Sequence, residues 1–131
     1  MASSLLTKLQ LKAGQHLAVL NPPQGYVASL TSELEGITVR TETKGPSDAV
    51  LLFVNTLAEV QHLAPRAIQT VKPDGLLWIA YPKGTSKVKT DVNRDLLAAA
   101  LEPKGWRAVR LVSLDETWSP MRFRPADKVG T

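Results

Sequence analysis

Two stretches of the chain are apolar throughout, Ala49-Val50-Leu51-Leu52-Phe53-Val54 and Leu76-Leu77-Trp78-Ile79-Ala80-Tyr81. Strands covered on both faces read this way, so both are predicted to lie in the middle of a parallel sheet. Leu17-Ala18-Val19-Leu20 is a shorter run of the same kind, ended by a turn at Asn21-Pro22-Pro23. Elsewhere apolar and polar positions alternate. Ile37–Thr41, Trp106–Leu114 and Met121–Arg124 carry a period of two, which predicts strands with one wetter face, nearer the sheet edges. The last two are predicted to form a terminal hairpin joined through residues 115–120.

Between these runs the period changes to that of a helix. Val27, Leu30 and Leu34 predict a short helix after Gly25. Thr56 followed by Glu59 is a capping box, opening a helix whose inner face is Leu57, Val60, Ala64, Ile68 and Val71. Pro65 is expected to kink it, and Lys72-Pro73-Asp74-Gly75 to end it. Thr90 or Asp91 is expected to cap a third helix with Val92, Leu96, Ala99 and Ala100 inward, stopped at Pro103-Lys104-Gly105. Leu5–Gln10 has room for one or two helical turns. Strands alternating with helices imply βαβ units with right-handed crossovers. The expectation is an α/β fold: a three-layer, Rossmann-like domain over residues 1–131, with a mostly parallel sheet of about six strands and a C-terminal antiparallel hairpin.

Ligands in such sheets bind beyond the carboxyl ends of the strands, where the strand order reverses. Here that edge offers Asn21, Gln24, Gly25, Tyr26, Glu42, Asn55, Tyr81 and Lys83 as candidate ligand-binding residues. Asp115, Glu116 and Trp118, in the connection of the hairpin, belong to the same edge. Lys83 is expected to meet a phosphate or carboxylate, together with Lys87 and Lys89, or to pair with Asp115 or Glu116. Trp118 is expected to pack over the mouth of the crevice or to mark a contact surface. Trp78 and Trp106 are assigned to the core.

Composition narrows the classes. With 131 residues, 44% apolar and 21% charged, the chain has the make-up of one globular domain. It has no cysteine, so disulfides and thiolate metal sites are excluded and a cytoplasmic location is expected. No run approaches the length of a membrane span. His16 and His62 have no ligand spacing around them, so no metal site is expected. The net charge of +4 is unevenly placed: residues 1–82 hold six basic and six acidic side chains, residues 83–131 ten and six.

Several local motifs resemble those of class I, S-adenosylmethionine-dependent methyltransferases. Val71-Lys72-Pro73-Asp74-Gly75-Leu76-Leu77-Trp78-Ile79 resembles their "LKPGG-hydrophobic" helix-to-strand turn. Ser47-Asp48-Ala49-Val50-Leu51-Leu52 is similar to their "DVV" strand, and Leu11-Lys12-Ala13-Gly14-Gln15-His16-Leu17 to the lead-in to their first strand. The resemblance covers most of the chain in order but lacks one strand–helix unit after the second strand. Pro23-Gln24-Gly25-Tyr26, Tyr81-Pro82-Lys83, Thr90-Asp91 and Asp115-Glu116-Thr117-Trp118-Ser119 together resemble a family of small bacterial proteins of unknown function. That family is Rossmann-like, so the resemblance implies a fold and a bacterial origin rather than an activity.

The cofactor chemistry of the larger family needs a glycine-rich first loop and an acidic residue after the second strand for the ribose hydroxyls. The first loop, Asn21-Pro22-Pro23-Gln24-Gly25, keeps one glycine and adds two prolines, which donate no amide hydrogens. Glu42 stands near the place of the ribose ligand. Asn21-Pro22-Pro23 follows the first strand rather than the fourth, so it reads as a rigid turn and not as the "NPPY" motif of amino-group methyltransferases. Three functions follow as expectations. The first is a non-catalytic domain binding a small anionic or nucleotide-like ligand at the carboxyl edge. The second is an S-adenosylmethionine-dependent methyltransferase using Gly25 and Glu42. The third is a nucleic-acid or protein-binding module acting through the basic half, including Arg122 and Arg124. A hydrophobic sheet edge would also permit a homodimer.

Overall fold

A computed structural model describes residues 8–34, 36–41, 46–83, 90–114 and 117–126. The expectations placed on Glu42, Lys87, Lys89, Asp115 and Glu116 lie outside the described residues, as does the first half, 5–7, of the helical turn expected over 5–10. Among the described residues six strands form one sheet: β1 (His16–Leu20), β2 (Thr38–Arg40), β3 (Ser47–Phe53), β4 (Val71–Pro82), β5 (Trp106–Leu111) and β6 (Trp118–Pro125), in the order β2-β1-β3-β4-β6-β5. The pairs β1–β2, β1–β3 and β3–β4 are parallel, and β6 is antiparallel to both β4 and β5. The two apolar runs are therefore adjacent interior strands, as their composition predicts.

Three helices complete the layers: α1 (Tyr26–Glu33), α2 (Leu57–Thr70) and α3 (Arg94–Leu101). Alternate residues of the interior strands feed two cores. Ala18, Leu20, Val50, Leu52, Leu77 and Ile79 pack with Val60 and Ala64 of α2 and Leu97 and Leu101 of α3. Leu17, Val19, Leu51, Phe53 and Trp78 pack with Leu30 of α1 and with Leu9 and Leu11 on the opposite face. The indole of Trp78 donates to the Leu9 carbonyl at 3.1 Å, tying the amino-terminal segment across the sheet. Trp106, also assigned to the core, is buried in the first of these layers.

Residues 41–46 stand between the end of β2 and the start of β3, which lie on either side of β1. Parallel strands are usually joined by a dozen or more residues.

Four expectations are corrected. First, β4 begins at Val71, so Val71 belongs to the sheet and not to the inner face of α2; Lys72–Gly75 is not a plain turn but an irregularity opposite Asp48, between the pairs Ser47–Val71 and Ala49–Leu76. Gly75 is required there, because a Cβ would lie 2.8 Å from Val71 Cγ2 and 2.9 Å from the Asp48 carbonyl oxygen. Second, α3 is capped by Asn93, whose side chain accepts from Leu96 N at 2.8 Å. Its inward residues are Leu97 and Leu101, leaving Leu96 44% exposed. Third, Trp118-Ser119-Pro120 is the start of β6 rather than part of a connection. Fourth, α2 runs unbroken through Pro65, which sits on its exposed side where water can meet the carbonyl left without an amide.

Candidate functional site at the carboxyl edge

The strand order reverses between β1 and β3, and the crevice outside their carboxyl ends is where the sequence reading looks for a ligand. The backbone after β1 turns sharply. Asn21 adopts φ +55°, a left-handed conformation that asparagine tolerates better than most residues. Tyr26 N donates to the Pro23 carbonyl at 3.0 Å, closing the turn, and Gly25 follows the same hand at φ +76°. Gly25 is the N-cap of α1, so no side chain caps this helix. A Cβ on Gly25 would meet nothing within 4 Å, which leaves the space before the helix N-terminus open.

The carboxyl end of β3 is built differently. Glu59, in the first turn of α2, accepts from Asn55 N at 2.6 Å and from Asn21 Nδ2 at 3.2 Å. Asn21 Nδ2 also donates to the Phe53 carbonyl at 2.8 Å. One carboxylate therefore ties the ends of β1 and β3 together. The capping box is present in part: Thr56 Oγ1 accepts from Glu59 N at 3.1 Å, but the glutamate reaches Asn55 rather than the amide of Thr56. Asp91 Oδ1 accepts from Leu57 N at 2.8 Å, and Thr90 Oγ1 donates to the Asn55 carbonyl at 2.6 Å. This explains the third-helix correction, since Thr90 and Asp91 cap and brace the start of α2. Side chains thus cap the N-terminus of α2, whereas among the described residues none caps that of α1.

Three aromatic rings pack against one another beside the start of α1. Tyr26 meets Phe53 edge-on at 5.1 Å between centroids, and Phe53 meets Trp118 at 5.0 Å and 90°. Phe53 is fully buried and Trp118 nearly so. Trp118 is therefore a buried packing residue and not an exposed contact at a tip. The packing of Phe53 between Tyr26 and Trp118 is not foreseen from the sequence, since inside an apolar run nothing marks one strand residue from the next.

The other candidates divide. Gln24 and Gly25 are exposed, and Asn55 is half-buried with both backbone groups engaged. Tyr81 is not brought to the aromatic row: it packs in the α2–α3 layer, and burial pushes its phenol up from the ordinary value. Lys83 is tied to the hairpin, with its backbone N donating to the Thr117 carbonyl at 2.7 Å and Nζ to Ser113 Oγ. Among the described residues no three potential metal ligands converge, and no helix is long and apolar enough to cross a membrane.

No protein-family profile matches the chain, and no curated protein does. Solved structures do. The chain is similar to the 1,6-didemethyltoxoflavin-N1-methyltransferase of Burkholderia thailandensis, solved with 1,6-didemethyltoxoflavin and S-adenosylhomocysteine bound. That match has a TM-score of 0.59 at 12% identity and covers 96% of this chain and 77% of that one. It is similar to the ribosomal protein L11 methylase of Lactobacillus delbrueckii subsp. bulgaricus, with a TM-score of 0.58, 10% identity and coverage of 92% and 74%. A SAM-dependent methyltransferase from Aquifex aeolicus gives a TM-score of 0.53, 13% identity and coverage of 92% and 87%. At these identities the likeness is one of fold. With its strand order, its two helical layers and its antiparallel final hairpin, the chain has the Rossmann-like fold of the class I S-adenosylmethionine-dependent methyltransferases in a shortened form.

Proposed function

We propose that this domain is a methyltransferase-type protein that binds S-adenosylmethionine, or a closely related adenosyl compound, at the carboxyl edge between β1 and β3. The observation that carries the reading is the start of α1 at Gly25, where no side chain caps the helix and a Cβ on the glycine would meet nothing within 4 Å. The start of a helix favours a polar or anionic group. The aromatic row ends on the half-buried ring of Tyr26, braced by the buried Phe53 and Trp118, and that ring is the surface proposed to meet a purine or a sulfonium-bearing chain. Gly25 and Tyr26 are the residues proposed to hold the ligand, with Glu42 the proposed ribose ligand. When bound, the cofactor supplies a methyl group on a positively charged sulfur; the chain supplies the turn that orients it. The cysteine-free composition fits a cytoplasmic setting.

A second reading, binding without methyl transfer, is favoured by how the polar groups of the edge are spent. Asn21, Glu59, Asn55 N, Thr90, Asp91 and the Lys83 ammonium all bond to one another or to the chain. Isothermal calorimetry with S-adenosylmethionine and S-adenosylhomocysteine tests the shared claim. Saturable heat with one site per chain supports it, and absence of heat at millimolar ligand overturns both readings. Incubation with methyl-labelled cofactor and candidate acceptors then separates transfer from binding alone.

A further inference from the structure

At the other end of the strands the structure assigns a second site, a cleft for a small monocarboxylate, independent of the cofactor reading. The cleft, of about 330 Å³, opens between the segment leading into β1 and the amino ends of β3 and β4. Gln10, Lys12 and Gln15 line it on one side, and Asp48, Lys72 and Leu76 on the other. Its volume lies at the small end of the range for pockets that hold small molecules. The crevice proposed for the adenosyl compound lies at the carboxyl ends of β1 and β3, so the two sites share no residue.

Among the described residues the charges of the cleft cancel down to one cation. Asp48 is fully occupied: Oδ1 accepts from Lys72 Nζ at 2.7 Å and Oδ2 from His16 N at 2.9 Å. Those two bonds hold its carboxyl below the ordinary value, so it stays ionised and offsets Lys72. Lys12 is exposed, and among the described residues no group pairs with its ammonium. One unpaired cation suits one negative charge. A phosphate dianion would bring its second charge toward Asp48 with no cation left to meet it.

The bonds that the two carboxamides already make turn them into donors. Gln15 Oε1 accepts from Lys12 N at 2.9 Å, and Gln10 Oε1 accepts from Arg122 Nη1. Each side chain then has its NH2 group left to offer, and that group only donates. Gln10 holds its place under backbone strain, at φ +59° in the left-handed region that few side chains adopt. Such strain persists where the surroundings fix it, and here the buried Leu9 beside it accepts from the Trp78 indole at 3.1 Å. Two amide donors beside one ammonium suit the two oxygens of a carboxylate. Leu76, half-buried in the wall, offers apolar surface to a short chain behind it.

The test is an amide nitrogen–proton correlation spectrum of the whole chain, titrated with sodium butyrate to about 50 mM at fixed ionic strength. Butyramide and inorganic phosphate are the comparison ligands. Butyrate is expected to move the signals of Lys12, Gln15, Gly75 and Leu76 in a saturable way, and neutral butyramide to leave them in place. Lys12→Gln is expected to weaken butyrate by about tenfold, the effect of one hydrogen bond to a charged group. Gln15→Glu keeps an oxygen for Lys12 N but sets a negative charge where the donor stood, and is expected to abolish binding. Lys104→Gln, whose lysine donates to Gln61 of α2 on the opposite layer, is expected to change nothing. Each variant is checked for unchanged melting. The inference is overturned if butyrate leaves these signals unmoved, or if butyramide or phosphate binds as tightly. It is also overturned if Lys104→Gln weakens butyrate as much as Lys12→Gln does. Each of these results leaves the calorimetric test of the adenosyl site standing, because that site lies at the carboxyl ends of the strands.

Discussion

Glu59 offers the sharpest test of how the crevice is held open. Replacing it with alanine removes the acceptor for Asn55 N at 2.6 Å and for Asn21 Nδ2 at 3.2 Å. A hydrogen bond to a charged group contributes about 1.5–3 kcal/mol net, and the short contact to a half-buried amide belongs in that range. The longer one, to an exposed asparagine that keeps its bond to the Phe53 carbonyl, contributes little more. Water reaches this edge and replaces part of what is lost, so Glu59→Ala is expected to cost about 2 kcal/mol. With an unfolding entropy of about 2.1 cal/mol/K per residue, that lowers Tm by about 7 °C in a chain of this length. Glu59→Gln keeps a carbonyl oxygen for Asn55 N but presents an amide where a carboxylate oxygen faced Asn21. It is therefore expected to recover about half of the loss. Scanning calorimetry of the three proteins reads this directly. A Glu59→Ala melt within 1 °C of wild type, by the measure of about 3–4 °C per kcal/mol, would show that the carboxylate does not join β1 to β3 and would refute the reasoning.

Three further outcomes follow from the packing. Gly75→Ala forces a Cβ against the Asp48 carbonyl and Val71, so it is expected to destabilise by about 1–3 kcal/mol in denaturant titration; a neutral result would mean the β4 irregularity relaxes freely. Trp118→Ala is expected to cost about 3–5 kcal/mol because the ring is buried against Phe53, whereas a residue in an exposed connection would cost under about 0.5 kcal/mol. Tyr81, whose phenol is pushed up chiefly by burial, holds its proton more tightly folded than unfolded. Its contribution to stability is complete below about pH 10 and is lost as pH rises through the higher folded value. Tyr81→Phe should therefore flatten the alkaline arm of a stability–pH curve, and an unchanged arm would contradict the assignment.

The interior of the sheet was legible because burial on both faces leaves a mark that composition cannot hide. Residues 49–54 and 76–81 are apolar throughout and became adjacent interior strands. Helix boundaries were less legible for a specific reason. Thr90, Asp91 and Asn93 are all good capping residues, and nothing local says that the first two serve α2, more than thirty positions earlier. Trp118 lies beside acidic and hydroxyl residues that suggest a turn, and only its pairing with Pro82 makes it a strand residue. The turn made by Asn21, Gly25 and Tyr26 was recognisable from its chemistry after a buried strand. The carboxylate that links Asn21 to Asn55 was visible only as a helix cap. The side that Arg110 takes was not legible, because a one-residue irregularity between Ala108 and Arg110 decides it.

The proposed adenosyl site is tested most directly by an amide nitrogen–proton correlation spectrum recorded during titration with S-adenosylmethionine. The account predicts shifts concentrated in the turn and helix start at residues 21–27 and at the end of β3, residues 53–57, with Arg107–Leu111 unmoved. An unchanged spectrum at saturating ligand, or shifts gathered instead around Lys12, Asp48 and Lys72 at the opposite end of the strands, would contradict it.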